Sequence, residues 1–282
     1  MSSQIQQGPN FAILIISASD WTNRLLQFAQ KKTWVRDFDD IAPVYFVRGN
    51  GRLGHGEKDV NKLHDFKVLI DGLVSPVSSY KLESFQNNIF TFDSVNGWDQ
   101  ILPNTIGALE SITAMKDFDY IIRTNLSTYW NVKNTLKLLK SLPKMNVYAG
   151  PIQEVNGFRW VEGDAIIMSA DVVNLLLNNK ELVDNRVIDD LSISHTLSRL
   201  GVVPLDVPRP WLRIHLRKLA LSFYLNNKTN QPQFFRMKFP ESLTSFANIR
   251  CKNPHKILGF YARMDPLIFI ILRFADSFKR EF

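Results

Sequence analysis

A chain of 282 residues with 45% hydrophobic residues, 20 phenylalanines and 22% charged residues is long enough to bury a large core and too apolar to be disordered. Its net charge of +7 comes with a single cysteine, Cys251, which excludes an internal disulfide and points to a reducing compartment. The first ten residues lack a basic flank and a cleavage-like pattern, and the apolar runs at 11–17 and 267–272 are too short to span a bilayer, so a cytoplasmic chain is expected.

The elements follow in chain order. Residues 11–17 (FAILIIS) are an unbroken apolar run, as in a strand buried on both faces. Residues 23–34 space their apolar positions as a helix does, and 44–49 (VYFVRG) form a second strand stopped by Gly49, giving a β-α-β unit. A strand at 89–94, a helix at 102–115 and a strand at 120–124 continue the alternation expected of a layered α/β domain. The polar run Asn125, Leu126, Ser127 and Thr128 then falls just past a strand end, where ligands sit in open α/β sheets. A helix at 131–143, strands at 147–152 and 164–169, helices at 170–179 and 189–201, and a short strand at 202–208 complete the pattern.

Beyond that point 211–225 and 265–282 read as basic amphipathic helices, the second opened by Asp265 as cap and Pro266 in its first turn. The expected organisation is one main domain over 9–262 and a basic helix over 263–282. The charge is uneven: residues 209–282 hold 14 Lys and Arg against 4 Asp and Glu, a balance of +10 that leaves −3 for the first 208. Such a tail suits an anionic partner or is a plain solvated face. No interleaving of aromatic and basic residues of an RNA-binding kind is present, which argues against nucleic acid.

Seven segments carry a family resemblance: QKKTW (30–34), YFVRG (45–49), FDSVNGWDQILPNT (92–105), DYIIRTNLSTYWN (119–131), EGDAIIMSADVV (162–173), IDDLSISHTLSRLGV (188–202) and RCKNPHKILGFY (250–261). In this order they resemble the β1,3-galactosyltransferase and β1,3-N-acetylglucosaminyltransferase family, which includes the fringe enzymes and has the GT-A fold. The likeness runs over residues 11–262, with Lys31 standing where the family has an arginine. It implies an α/β GT-A domain, layered like a Rossmann fold around a mixed central sheet, with a basic helical extension at the C-terminus.

The resemblance also implies an inverting enzyme that moves a sugar from a nucleotide donor, a UDP-sugar, to a hydroxyl of a glycan. In that family a D-D-D stretch holds a divalent cation, usually manganese, against the donor diphosphate. Here those positions are Asn125, Leu126 and Ser127, and a histidine that ligates metal in some members is replaced by Arg250. The expectation is therefore a metal-independent site with no cofactor, in which Arg250, with Arg209, Arg213 or Lys252, stabilises the departing diphosphate. Manganese is the lesser alternative.

Asp190 falls on the aspartate of the family's E-D-V segment and is the candidate base, to take the acceptor's hydroxyl proton. Its competing reading, with Asp189, is a cap on the following helix. Gly163 and Asp164 stand where the family approaches donor sugar and acceptor, or form an ordinary turn. Trp160 and Glu162 suit a sugar ring, although Trp160 also suits the core. Lys31 and Arg123 are candidate phosphate or base contacts or else surface charges, and Ser17 with Ser19 lies where a nucleotide enters such a sheet. The acceptor is expected to be a glycan or a lipid-linked glycan, in a bacterial or viral setting, with the basic tail resting on an anionic membrane. The other function class open to this sequence is a non-catalytic GT-A-like module that binds a glycan or nucleic acid.

Overall fold

The computed structural model describes residues 8–19, 21–51, 68, 73–77, 80–94, 100–207, 212–213 and 234–238. Arg209, Arg250, Cys251, Lys252 and the expected helix at 263–282 lie outside the described residues. The chain divides into two compact units: residues 1–19, 42–125 and 136–208 in the first, and 20–41, 126–135 and 209–282 in the second.

The first unit is built on an eight-stranded mixed sheet. Its strands are β1 (Phe11–Ile16), β2 (Val44–Gly49), β3 (Leu82–Gln86), β4 (Ile89–Phe92), β5 (Tyr120–Asn125), β7 (Tyr148–Gly150), β10 (Ala165–Ser169) and β11 (Leu205–Asp206). They lie in the order β11-β7-β10-β5-β1-β2-β4-β3. β1 pairs in parallel with both β2 and β5, β2 with β4, and β11 with β7; β10 is antiparallel to β5 and β7, and β3 to β4. All six residues of β1 are buried, as a central strand covered on both faces must be. The mixed α/β class read from the sequence is the class observed.

Among the described residues, three helices share one core with this sheet. In α2 (Ile101–Met115), Leu102, Ile106, Leu109 and Ile112 recur at helical spacing and join one core with Leu14, Phe90 and Phe92. α4 (Ala170–Asn178) adds Val172, Val173 and Leu176 to it, and α5 (Asp189–Arg199) adds Ile193 and Leu197. α5 ends where Gly201 takes φ +82, a conformation that costs glycine little. A separate hairpin joins β8 (Ile152–Val155) to β9 (Phe158–Val161).

In the second unit α1 (Trp21–Lys32) runs into a short 3-10 turn, Val35–Phe38. Trp34 is fully buried there, edge-on to Phe38 at 5.8 Å and tilted against Tyr129 at 6.4 Å. β6 (Thr128–Trp130) pairs antiparallel with β13 (Phe234–Lys238), which pairs in parallel with β12 (Leu212–Arg213). Leu212 and Arg213 are paired to β13 as a strand, where main-chain pairing competes with an amphipathic pattern that is only a local preference; the rest of the helix expected at 211–225 lies outside the described residues. α3 (Val132–Ser141) leads the chain back into the first unit.

Candidate functional site

The strand order locates a site before any side chain is considered. From β1 the chain builds the sheet outward through β2 and β4, then returns to place β5 on the other side of β1. The switch point therefore lies between the carboxyl ends of β1 and β5, the crevice where open α/β sheets receive ligands. Ile16 is in register with Asn125, and Ser17, the next residue, donates its N–H to Val47 O at 2.8 Å. Ser19 Oγ donates to Gly51 O at 3.1 Å, and Gly51 N to Ser94 O at 3.0 Å, so the segments after β1, β2 and β4 are tied together at this edge.

Because β10 runs antiparallel, its beginning lies where β5 ends. Ala165 faces Thr124, and Thr124 Oγ1 donates to Asp164 O at 2.6 Å. This brings Gly163 and Asp164 to the same edge as Asn125. α5 also starts here: Gly163 N donates to Asp190 Oδ2 at 3.2 Å, while Asp190 Oδ1 accepts Leu191 N at 2.9 Å. Asp190 keeps 7% of its surface exposed and Asp189 keeps 8%.

Arg123 is a cation of this edge, and it faces inward. Its side chain is 2% exposed; Nη2 is ion-paired with Asp189 Oδ2, and Nη1 donates to Asn125 Oδ1 at 2.8 Å. The sequence offers Arg123 as a phosphate or base contact or as a surface charge; the structure buries its side chain and pairs it within the protein. It also changes the reason for Gly163, since a Cβ there would lie 2.8 Å from Arg123 Nη1 and 3.4 Å from Asp190 Cβ. Glycine makes room for the guanidinium.

Asp164 is fully buried, and Glu162 is buried with its N–H donated to Pro151 O at 2.8 Å. Trp160 is 4% exposed, clustered with Val187 and Leu191 and stacked on Phe158 at 6.2 Å. Its ring serves the core, the second of the two uses the sequence allows. Two further residues escape sequence reading. Ser194 Oγ donates to Asp190 O at 2.7 Å and accepts the Val161 N–H at 3.2 Å, with Tyr148 Oη 2.5 Å away. Burial pushes the Tyr148 phenol well above its ordinary 10.0, so it stays protonated and donates to Ser194. Ser194 stands four residues after Asp190, the spacing of one helical face, which is the only sequence signal for it.

Lys31 and Ser127 belong to the second unit. Lys31 is half-buried in the last turn of α1, and Ser127 is half-buried in the turn after β5. Leu126 beside it is 5% exposed, and its carbonyl accepts Gln30 Nε2 at 2.6 Å.

At the position where the resemblance implies a divalent cation, the side chains are engaged as follows. Leu126 is a buried apolar side chain, the Asn125 oxygen already accepts from a guanidinium, and Asp189 is ion-paired with that same guanidinium. Among the described residues, no group of three or more His, Cys, Asp or Glu is placed to hold a metal.

No family model matches this chain, and no curated protein is significantly similar to it. Among solved structures, it is similar to the galactosyltransferase LgtC in complex with donor and acceptor sugar analogs, with a TM-score of 0.42, 10% identity, and coverage of 88% of this chain and 99% of that one. It is also similar to a mannosyltransferase from Pyrobaculum calidifontis in complex with GDP-Man and Mn2+, with a TM-score of 0.40, 12% identity, and coverage of 72% of this chain and 56% of that one.

Proposed function

We propose that this protein is an inverting glycosyltransferase that takes a sugar from a UDP-sugar donor and passes it to a hydroxyl of a glycan or lipid-linked glycan, without a bound metal. The observation that carries this reading is the meeting of Asn125, Gly163 and Asp190, from three separate sequence segments, at the carboxyl edge of the sheet beside Ser17. The collinear family resemblance brought the same segments together on independent grounds.

In this reading the acceptor oxygen attacks the anomeric carbon from the face opposite the diphosphate. The bond from that carbon to the diphosphate oxygen breaks, the nucleoside diphosphate leaves with the electron pair, and Asp190 takes the hydroxyl proton. Ser17 and Asn125 would line the donor side, and Arg250 and Lys31 are the cations that the family resemblance implies for the phosphates. Asp164 and Glu162 would shape the sugar and acceptor side from within.

A second reading has its own support. Both carboxylate oxygens of Asp190 accept main-chain N–H groups, as an acidic residue in the first turn of a helix does when its work is structural. On that reading the domain binds a glycan, or a nucleic acid, and turns nothing over.

Donor hydrolysis across UDP-, GDP- and TDP-sugars, with manganese and again with EDTA, separates the two. The expected result is turnover of one donor at equal rate in EDTA, lowered by about 10²–10⁴-fold in Asp190→Ala with donor binding kept. Turnover only with manganese would sink the metal-independent assignment, and no turnover of any donor would favour the binding module.

A further inference from the structure

We propose that Arg123 is a positioning residue, a buried cation that fixes the first turn of α5 against the end of β5 and so sets the direction of the Asp190 carboxylate. Two physical costs make its presence informative. A guanidinium 2% exposed has lost its water, and the start of a helix carries partial positive charge, so a cation beside α5 is disfavoured twice. It is kept because Asp189, in the first turn of α5, supplies the countercharge, and because Asn125 Oδ1 accepts its second arm at 2.8 Å.

The fork therefore spans two elements, one arm on the end of β5 and the other on the start of α5. Gly163 lies against the guanidinium, close enough that a methyl group would meet Nη1 at 2.8 Å, and donates its N–H to Asp190 Oδ2. Asn125, Arg123, Asp189, Gly163 and Asp190 are thus one connected assembly, and Asp190 is aimed by the other four. A lysine here would keep the charge but lose the planar fork, so one of the two oxygens would go unmet. The catalytic consequence rests on the proposed role of Asp190 as base; the positioning itself does not.

The experiment pairs two readouts on the full chain. The first is a carbon-13 titration of the Asp190 carboxyl without donor, assigned with Asp190→Asn; the second is donor hydrolysis. In Arg123→Lys the Gly163 N–H should release the ionised carboxylate, raising its midpoint by about half a pH unit. The kcat should fall about 10- to 100-fold, with the donor KM within about twofold. An unmoved titration with unchanged kcat overturns the proposal, as does a raised KM at constant kcat, which would make Arg123 a direct donor ligand. A moved titration with unchanged kcat upholds the positioning and removes Asp190 as base. If the parent protein hydrolyses no donor, the glycosyltransferase reading fails while the titration still decides this one. If Arg123→Lys does not fold, Arg123→Met combined with Asp189→Leu removes both charges together and is read in the same way.

Discussion

Gly150 and Gly163 both end up as glycine for steric reasons, but the neighbours they spare are of different kinds. A Cβ on Gly150 would lie 2.0 Å from Ala165 O and 2.4 Å from Val161 Cγ1, and the residue already sits at φ +156. Ala165 O is main chain at the start of β10, so nothing there can yield without disturbing the pairing of β7 with β10. At Gly163 the nearest atom is the end of a side chain, Arg123 Nη1 at 2.8 Å, yet that side chain is pinned by Asp189 and Asn125. Gly163→Ala should therefore cost about 1–3 kcal/mol, as overpacking does, and Gly150→Ala more than that. Urea denaturation of the two variants checks the order; equal costs, or the reverse order, would show that the guanidinium is held more rigidly than the strand. Sequence reading offered close approach of a sugar as the reason for Gly163. It could not see Arg123, 40 positions earlier, or Asp190, 27 positions later, because a cause of that kind exists only once β5, β10 and α5 have met.

The long periodic segments were legible because their signal is local. Residues 44–49 are β2 to the residue, and α2, α4 and α5 begin or end within two residues of where spacing puts them. Two hairpins were not read, although their turn chemistry was available. Asn156 and Gly157 take φ +51 and +80, and Asn87 and Asn88 take +52 and +60, the positive pairs that a two-residue turn of the primed type demands. The strands they join are short, and the residues of β3 are largely exposed, so alternation gave no apolar run to notice. Helix ends also carry the acid sensitivity. Next to the start of α4, burial raises the Asp171 carboxyl, but Ser169 Oγ at 2.5 Å and Asn146 N at 2.8 Å together hold it below its ordinary 3.8. Asp184, before α5, is likewise raised by burial and brought below 3.8 overall by the side chain and N–H of Arg186. On α5 itself His195 lies below its ordinary 6.5, through burial first and then Arg199, with Asp184 acting against both. Each of the three therefore binds its proton less readily folded than unfolded. The His195 contribution is complete above pH 6.5 and is lost as pH falls through its depressed value; those of Asp171 and Asp184 are complete above 3.8 and are lost lower still. Urea midpoints measured against pH should thus fall in two stages on acidification, and His195→Gln should remove part of the first. An identical first stage in that variant would assign it to the other histidines.

The chain enters and leaves the first unit more than once, since residues 1–19, 42–125 and 136–208 build it while 20–41, 126–135 and 209–282 build the second. A linear reading sees one alternating domain, because the crossings before 209 fall inside a β-α-β pattern, inside a polar turn and inside α3. The site edge survives that simplification: Ser17, Asn125, Gly163 and Asp190 all belong to the first unit, whose strand order alone defines the switch point. The basic charge lies elsewhere, with a balance of +10 in residues 209–282 against −3 in the first 208. An anionic sugar donor and an anionic lipid surface would both be drawn to such a segment, and they differ in how salt and lipid composition act. Among the described residues no helix is long and apolar enough to cross a membrane. Coulomb attraction to a surface is screened over about 8–10 Å at physiological ionic strength, whereas apolar insertion is not. The full chain should therefore sediment with vesicles containing anionic lipid at low salt, stay in solution with neutral vesicles, and be released as salt rises. Replacing Arg273, Lys279 and Arg280 together by Gln should weaken retention, each charge near the surface being worth about 1 kcal/mol. Retention that ignores both salt and these three residues would mean that apolar side chains hold the chain to the lipid; no retention at any salt would leave the basic segment to the donor's phosphates.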